Sequence, residues 1–225
     1  MAELIVAFDV PSGREALALA DRLPGLSWAK IGPVLFVREG PALVQEFTRR
    51  GVRVFLDMKW HDIPSVVAEA VSAARTLGVS MATVHCLGGH DMLAAAVRAA
   101  GPDLALMGVT LLTSHTSADA EQVFGRGVPD LGLEATRLAR LATGAGLRGV
   151  VASGHELGML REALGPRPWI VVPGIRPQGS EQDDQARIVT PAEAIRLGAT
   201  HLVIGRPIVR APEPALAYRQ VVEAL

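Results

Sequence analysis

The chain is poor in cysteine. Cys86 stands alone among 225 residues, which excludes an internal disulfide framework and a cysteine-built zinc site. No apolar run approaches the roughly 18 residues that span a bilayer, so no membrane partner is expected. Neither sign of charge is in excess: 22 Lys and Arg face 23 Asp and Glu, a net charge of −1. Non-specific nucleic-acid binding needs a basic field that this balance does not supply. Low-complexity tracts and linker-like shifts in composition are missing too, so one domain over residues 1–225 is expected. Met1-Ala2-Glu3 and the short run Leu4 to Phe8 lack the basic start and long apolar stretch of a secretory leader, and a cytoplasmic protein is the default expectation. What is abundant is core material. Hydrophobic residues make up 49% of the chain, which excludes intrinsic disorder.

That material is arranged periodically. Eight short apolar runs alternate with Ala- and Leu-rich amphipathic stretches. The runs are Leu4–Phe8, Trp28–Ile31, Val52–Leu56, Met81–Val84, Leu104–Val109, Gly149–Ala152, Trp169–Val172 and His201–Ile204. Each is apolar on both parities, the pattern of a strand buried on both faces. The spacing predicts helices between them, over Glu15–Arg22, Pro41–Arg50, Val66–Leu77, Asp91–Ala99, Leu133–Thr143, Glu156–Ala163 and Pro191–Leu197. Ser12-x-x-Glu15 and Thr190-Pro191-x-Glu193 read as capping boxes, the second with proline at the first helical position. Eight strand–helix units at this length point to a single-domain (β/α)₈ TIM barrel; a doubly wound open sheet shares the local pattern.

A barrel places functional groups where strands end. The residues at or just past the eight run ends are Asp9; Lys30; Asp57 with Lys59 and Asp62; His85; Thr113 and Ser114; Ser153; Pro173-Gly174-Ile175-Arg176; and Gly205-Arg206. In a strand, residues two apart share a face, so Asp57 and Lys59 point the same way. If that face is the barrel interior, Lys30 reaches the same space from the neighbouring strand, and Asp62 follows in the loop. Two lysines interleaved with two aspartates are compatible with a buried ion-pair network, although burying four charges is expensive without a functional return. A magnesium site fits poorly, because its carboxylates do not usually carry two ammonium groups among them. A third reading is chemical: a carboxylate repels an anionic substrate group while the adjacent ammonium stabilises and protonates a carbanion.

The other end of the same face suits a phosphate. Gly174 and Gly205 allow close backbone approach, and Arg176 and Arg206 supply forked donors. The polar, aperiodic stretch from Pro177 to Gln185 reads as a lid over that site, with Gln185 placed to bridge phosphate and base. None of the six histidines forms a metal-ligand pair. Trp28, Trp60 and Trp169 read as packing groups, and Cys86 as a small buried residue.

These residues resemble those of the bacterial orotidine 5′-phosphate decarboxylases over essentially the whole chain. The matching motifs are Ala7-Phe8-Asp9, Lys30-Ile31-Gly32, Phe55 through Pro64, Thr83-Val84-His85, Val109 through Ser114, Val150 through Ser153, Pro173-Gly174-Ile175-Arg176 through Gln185, Thr190-Pro191 and Gly205-Arg206-Pro207-Ile208. Asp-x-Lys-x-x-Asp alone is shared with sugar-phosphate decarboxylases; the Asp-Ile-Pro extension and the Pro-Gly-Ile-Arg…Gln segment are more specific. The resemblance implies decarboxylation of orotidine 5′-phosphate to UMP and CO₂, the last step of de novo UMP synthesis, with no cofactor and no metal. It implies that Lys59 protonates C6, that Asp57 crowds the substrate carboxylate, and that Lys30 and Asp9 hold the ribose and the charge network. Asp62 would enter the active site of the partner in a homodimer. Thr113, Ser114, Ile63 and Pro173 would contact substrate, and Arg176, Gln185, Gly205 and Arg206 would bind phosphate. One position departs from the family: Val66 stands where a threonine is usual, with Ser65 before it. The alternatives are a magnesium-dependent sugar-phosphate decarboxylase or synthase, separable by its sensitivity to a chelator, and a barrel that binds nucleotide without chemistry.

Overall fold

Eight parallel strands close on themselves in chain order, β8 pairing with β1, in a computed structural model that describes residues 2–176 and 189–225. The strands are β1 Glu3–Ala7, β2 Trp28–Ile31, β3 Arg53–Trp60, β4 Met81–His85, β5 Ala105–Val109, β6 Gly149–Val151, β7 Trp169–Val172 and β8 His201–Ile204. Closure excludes the open sheet. The helices among the described residues are α1 Gly13–Ala20, α2 Pro33–Arg49, α3 Pro64–Thr76, α4 Gly89–Ala100, α5 Ser117–Phe124, α6 Leu131–Gly144, α7 Leu157–Leu164, α8 Pro191–Arg196, α9 Arg206–Val209 and α10 Pro214–Glu223. None of them is long and apolar enough to cross a membrane.

Local chemistry explains most boundaries. The Ser12 hydroxyl accepts from the Glu15 N–H at 3.3 Å, and the Thr190 hydroxyl from the Glu193 N–H at 3.3 Å, so the hydroxyl half of each expected capping box forms. Reciprocal boxes also form at Thr116 with Asp119 and at Ser153 with Glu156. Helix α2 begins eight residues earlier than the sequence pattern predicts, because its first part, from Pro33, is joined to the second across a break at Gly40. Gly40 has φ +64°, and the proline after it disfavours helical geometry at that position. Strand β3 runs on through the charged segment to Trp60 instead of stopping at Leu56.

Two apolar layers hold the barrel. Between sheet and helices, Phe8 packs edge-on against Phe47 of α2 at 5.1 Å, within a cluster that runs around the whole barrel. Fully burying each such side chain contributes about 1.5–3 kcal/mol. Inside the barrel, Ile5, Ala7, Trp28, Phe55, Met81, Met107, Val171 and Val203 form a second cluster. At its floor, Trp28 donates to Glu3 at 2.6 Å and lies under the Arg53 guanidinium at 4.4 Å. His201 packs between Trp28 and Trp169, and burial pushes its pKa down to about 4, so it is neutral. The same inward parity, two residues further along, is polar. Trp28 is followed by Lys30, Phe55 by Asp57 and Met81 by Thr83. The barrel interior is therefore greasy at its base and charged at its mouth.

Candidate active site

Strand ends β1, β2 and β3 carry the charges. Lys59 Nζ lies 2.9 Å from Asp57 Oδ1. Lys30 Nζ lies 3.6 Å from Asp57 Oδ2 and 3.3 Å from Asp9 Oδ1. The side chains of Asp57 and Lys30 are only 14% and 13% exposed, against 36% for Lys59 and 60% for Asp9. Burial by itself would raise the Asp57 pKa. The ammonium groups of Lys30 and Lys59, with hydrogen bonds from Lys59 and Thr83, outweigh it and hold the carboxyl below its usual range. Asp57 is thus an anion kept charged at the edge of a poorly solvated space.

The strand is distorted to achieve this. Register with β4 shifts between Leu56 and Trp60, and Lys59 has φ +52°. Lys59 is the non-glycine residue with positive φ among the described residues. Such a conformation costs on the order of 1–3 kcal/mol and is characteristic of functional positions.

A cleft of about 250 Å³ opens at this mouth. Of the residues expected from sequence, it is lined by Asp9, Lys30, Asp57, Lys59, Thr113, Pro173, Arg176, Gly205 and Arg206. The mixed charges come from the ends of β1, β2 and β3, and the two arginines follow β7 and β8. A Cβ added at Gly205 would sit 3.3 Å from the Ala7 Cβ and 3.7 Å from an Asp9 oxygen, so glycine keeps this wall clear. Three expected residues are not in the lining. Asp62 and Ile63 are exposed on the loop after β3, where the Asp62 carboxylate accepts from the Ile63 N–H at 2.7 Å, and Ser114 is exposed after β5. Gln185 and the rest of the expected lid, 177–188, lie outside the described residues. A larger hollow, about 520 Å³, lies at the opposite end of the barrel between the starts of β2, β5 and β7. It lacks the converging charges of the mouth.

The floor of the cleft escaped the sequence reading. Ala7, Phe55, Val151 and Val203 form it, and strand parity alone would have identified them as the inward neighbours of the charged set. Thr83 also went without a role. Beside the cleft, His85 ends β4 and stacks on His61 at 5.6 Å. Burial, with His61, His115 and Lys59 nearby, lowers its pKa to about 4. Cys86 is buried, and burial pushes its thiol up to about 12, which makes it unreactive.

Known proteins share both the sequence and the fold. Residues 2–221 match the model of the orotidine 5′-phosphate decarboxylase / HUMPS family. An orotidine 5′-phosphate decarboxylase from Alkalilimnicola ehrlichii is 50% identical over 218 residues, covering 95% of this chain and 92% of that protein. One from Anaeromyxobacter sp. is 45% identical over 223 residues, covering 99% and 97%. The crystal structure of orotidine 5′-phosphate decarboxylase from Lactobacillus acidophilus superimposes with a TM-score of 0.88 at 30% identity, covering 100% of this chain and 99% of that one. With an unbroken match from end to end and a charged barrel mouth in place, the chain belongs to the orotidine 5′-phosphate decarboxylase / HUMPS family.

Proposed function

We propose that this enzyme converts orotidine 5′-phosphate to UMP and CO₂, with Lys59 and Asp57 at the reacting carbon. The observation that carries the reading is the Asp57 carboxylate held between two ammonium groups, at 2.9 and 3.6 Å, in a cleft that Arg176 and Arg206 also line. A nucleotide anchored by its phosphate at the arginines brings its pyrimidine ring toward the lysines. The substrate carboxylate then meets Asp57 and is repelled. The bond from C6 to the carboxylate carbon breaks, CO₂ departs, and the electron pair remains on C6. Lys59 delivers a proton to that carbon and regains one from solvent. Such preorganised electrostatics are commonly the largest single contribution to catalysis.

The remaining roles are those the family resemblance implies. Lys30 and Asp9 hold the ribose hydroxyls, and Lys30 with Lys59 keeps Asp57 ionised. Thr113, Pro173 and Ser114 border the pyrimidine. Arg176, Arg206 and the Gly205 backbone bind the phosphate, and Gln185 completes that site from the lid. Asp62 and Ile63 act in the active site of a second copy. Exposed apolar side chains support that last assignment: Ile63, Val66 in the first turn of α3, Leu87 and Leu112 are 62%, 47%, 37% and 36% exposed just beyond the ends of three adjacent strands. Such a patch beside a cleft marks a protein–protein contact. Val66 then meets the partner's substrate without the hydroxyl usual at its position.

The family also includes HUMPS, so the assay must discriminate. Loss of orotidine 5′-phosphate absorbance at an undiminished rate in EDTA is the expected result. Activity that vanishes with chelator and returns with Mg²⁺, or UMP binding without turnover, would overturn the reading.

A further inference from the structure

Asp57 and Lys59 are neighbours on one strand and pair directly at 2.9 Å, but that pair alone does not hold the backbone between them. The strand is bulged there, and Lys59 carries a left-handed backbone. Its N–H has therefore left the regular ladder and needs another acceptor in a place where an orphan donor costs about 1–3 kcal/mol. One side chain on the adjacent strand β4 meets both needs. Thr83 is fully buried. Its hydroxyl accepts from the Lys59 N–H at 2.8 Å and donates to Asp57 Oδ1 at 3.0 Å. That same oxygen accepts from Lys59 Nζ at 2.9 Å. A hydroxyl has one proton to donate, and here it goes to the carboxylate, which when ionised can only accept, while a lone pair takes the Lys59 N–H.

We propose that Thr83 is a positioning residue for the decarboxylation: its hydroxyl locks the Asp57 carboxylate and the Lys59 backbone to each other across the bulge. The inference deepens the reading above and rests on it. Thr83 is fully buried and is not among the residues that line the cleft, so it acts through Asp57 and Lys59. Two contacts fix two things. The donated bond sets the plane of the carboxylate and leaves Oδ2 turned toward Lys30. The accepted bond holds the strained backbone from which the Lys59 ammonium reaches the cleft. Without the hydroxyl, the carboxylate keeps only its two flexible lysine partners and the N–H is unpaired, while the phosphate and ribose contacts are untouched.

The test compares Thr83→Val, Thr83→Ala and Thr83→Ser with the natural chain. Steady-state decarboxylation of orotidine 5′-phosphate is measured together with UMP affinity and thermal stability. The natural chain must turn over for the comparison to begin; if it does not, the functional reading has failed and not this refinement. Valine and alanine should lower kcat by about 10- to 100-fold, the scale of a hydrogen bond to a charged group. KM and the UMP dissociation constant should stay within about threefold, and serine should restore most of kcat. A kcat for valine and alanine within about twofold of the natural value would overturn the proposal. So would a serine variant as impaired as valine, or UMP affinity falling in step with kcat. If neither valine nor alanine folds, the hydroxyl is a structural requirement and the positioning role is likewise refuted.

Discussion

Replacing Asp57 with asparagine keeps the shape of the side chain and its acceptor for Thr83 but removes its charge. Two ammonium groups then face each other across a mouth that held one carboxylate between them. At an effective dielectric constant near 20, the lost attractions are about 6 kcal/mol at 2.9 Å and about 5 kcal/mol at 3.6 Å. Most of that is offset by the cost, already met in the natural protein, of drying the three groups. Breaking a buried pair typically costs about 3–5 kcal/mol, and the 36% exposure of Lys59 reduces the figure to about 2–4 kcal/mol. The pH dependence identifies the source. Asp57 has its pKa depressed in the folded protein, so its stabilising effect is fully present above the ordinary carboxylate value, about 3.9, and is lost as pH falls through the lower folded value. Urea denaturation followed by tryptophan fluorescence should show a gap between the two proteins that is constant from about pH 8 to 5 and narrows below about 4. Equal stability at neutral pH, or a gap that acid leaves unchanged, would refute the claim that Asp57 is held charged by its lysines.

Three further outcomes are expected. His85 and His201 both have folded pKa values near 4, so the unfolded chain takes up protons that the folded one refuses between about pH 6.5 and 4. Stability should fall across that window as pH drops, by up to about 3 kcal/mol per histidine, and His201→Gln should flatten the slope; an identical slope in the variant would remove His201 from the account. Arg206→Ala should weaken UMP binding by about 1.5–3 kcal/mol, measured by calorimetry, and unchanged affinity would place the phosphate elsewhere. Mixing a Lys59→Ala chain with an Asp62→Ala chain should restore activity in heterodimers with one intact site, and a verified heterodimer without activity would contradict a shared site.

The fold was largely readable because a parallel barrel strand is buried on both faces and so stands out as an unbroken apolar run. The run at β3 gave out at Leu56 in hydropathy but not in backbone, since Asp57, Lys59 and Trp60 remain in the strand while their polarity disguises it. Helix α5 went unseen because its cap pairs Thr116 with an aspartate, Asp119, where the usual signal is glutamate or glutamine. The charged set was legible from period-two reasoning plus the position of Lys30 at a strand end. The bulge was not, because nothing in Asp57-Met58-Lys59 announces a left-handed lysine. Nor was the task of Thr83, which depends on a register shift between two strands. Asp62 and Ser114 were singled out just past strand ends and Ile63 by resemblance, and within one chain all three stay outside the cleft.

The most direct test of the central claim is turnover by the Lys59→Ala chain, followed as orotidine 5′-phosphate absorbance, with UMP affinity measured on the same preparation. If Lys59 is the proton donor proposed above, its removal should slow decarboxylation by at least about 100- to 10,000-fold, the usual contribution of a general acid, while UMP still binds. Turnover within about tenfold of the natural enzyme would contradict it, and the proton at C6 would have to come from another group.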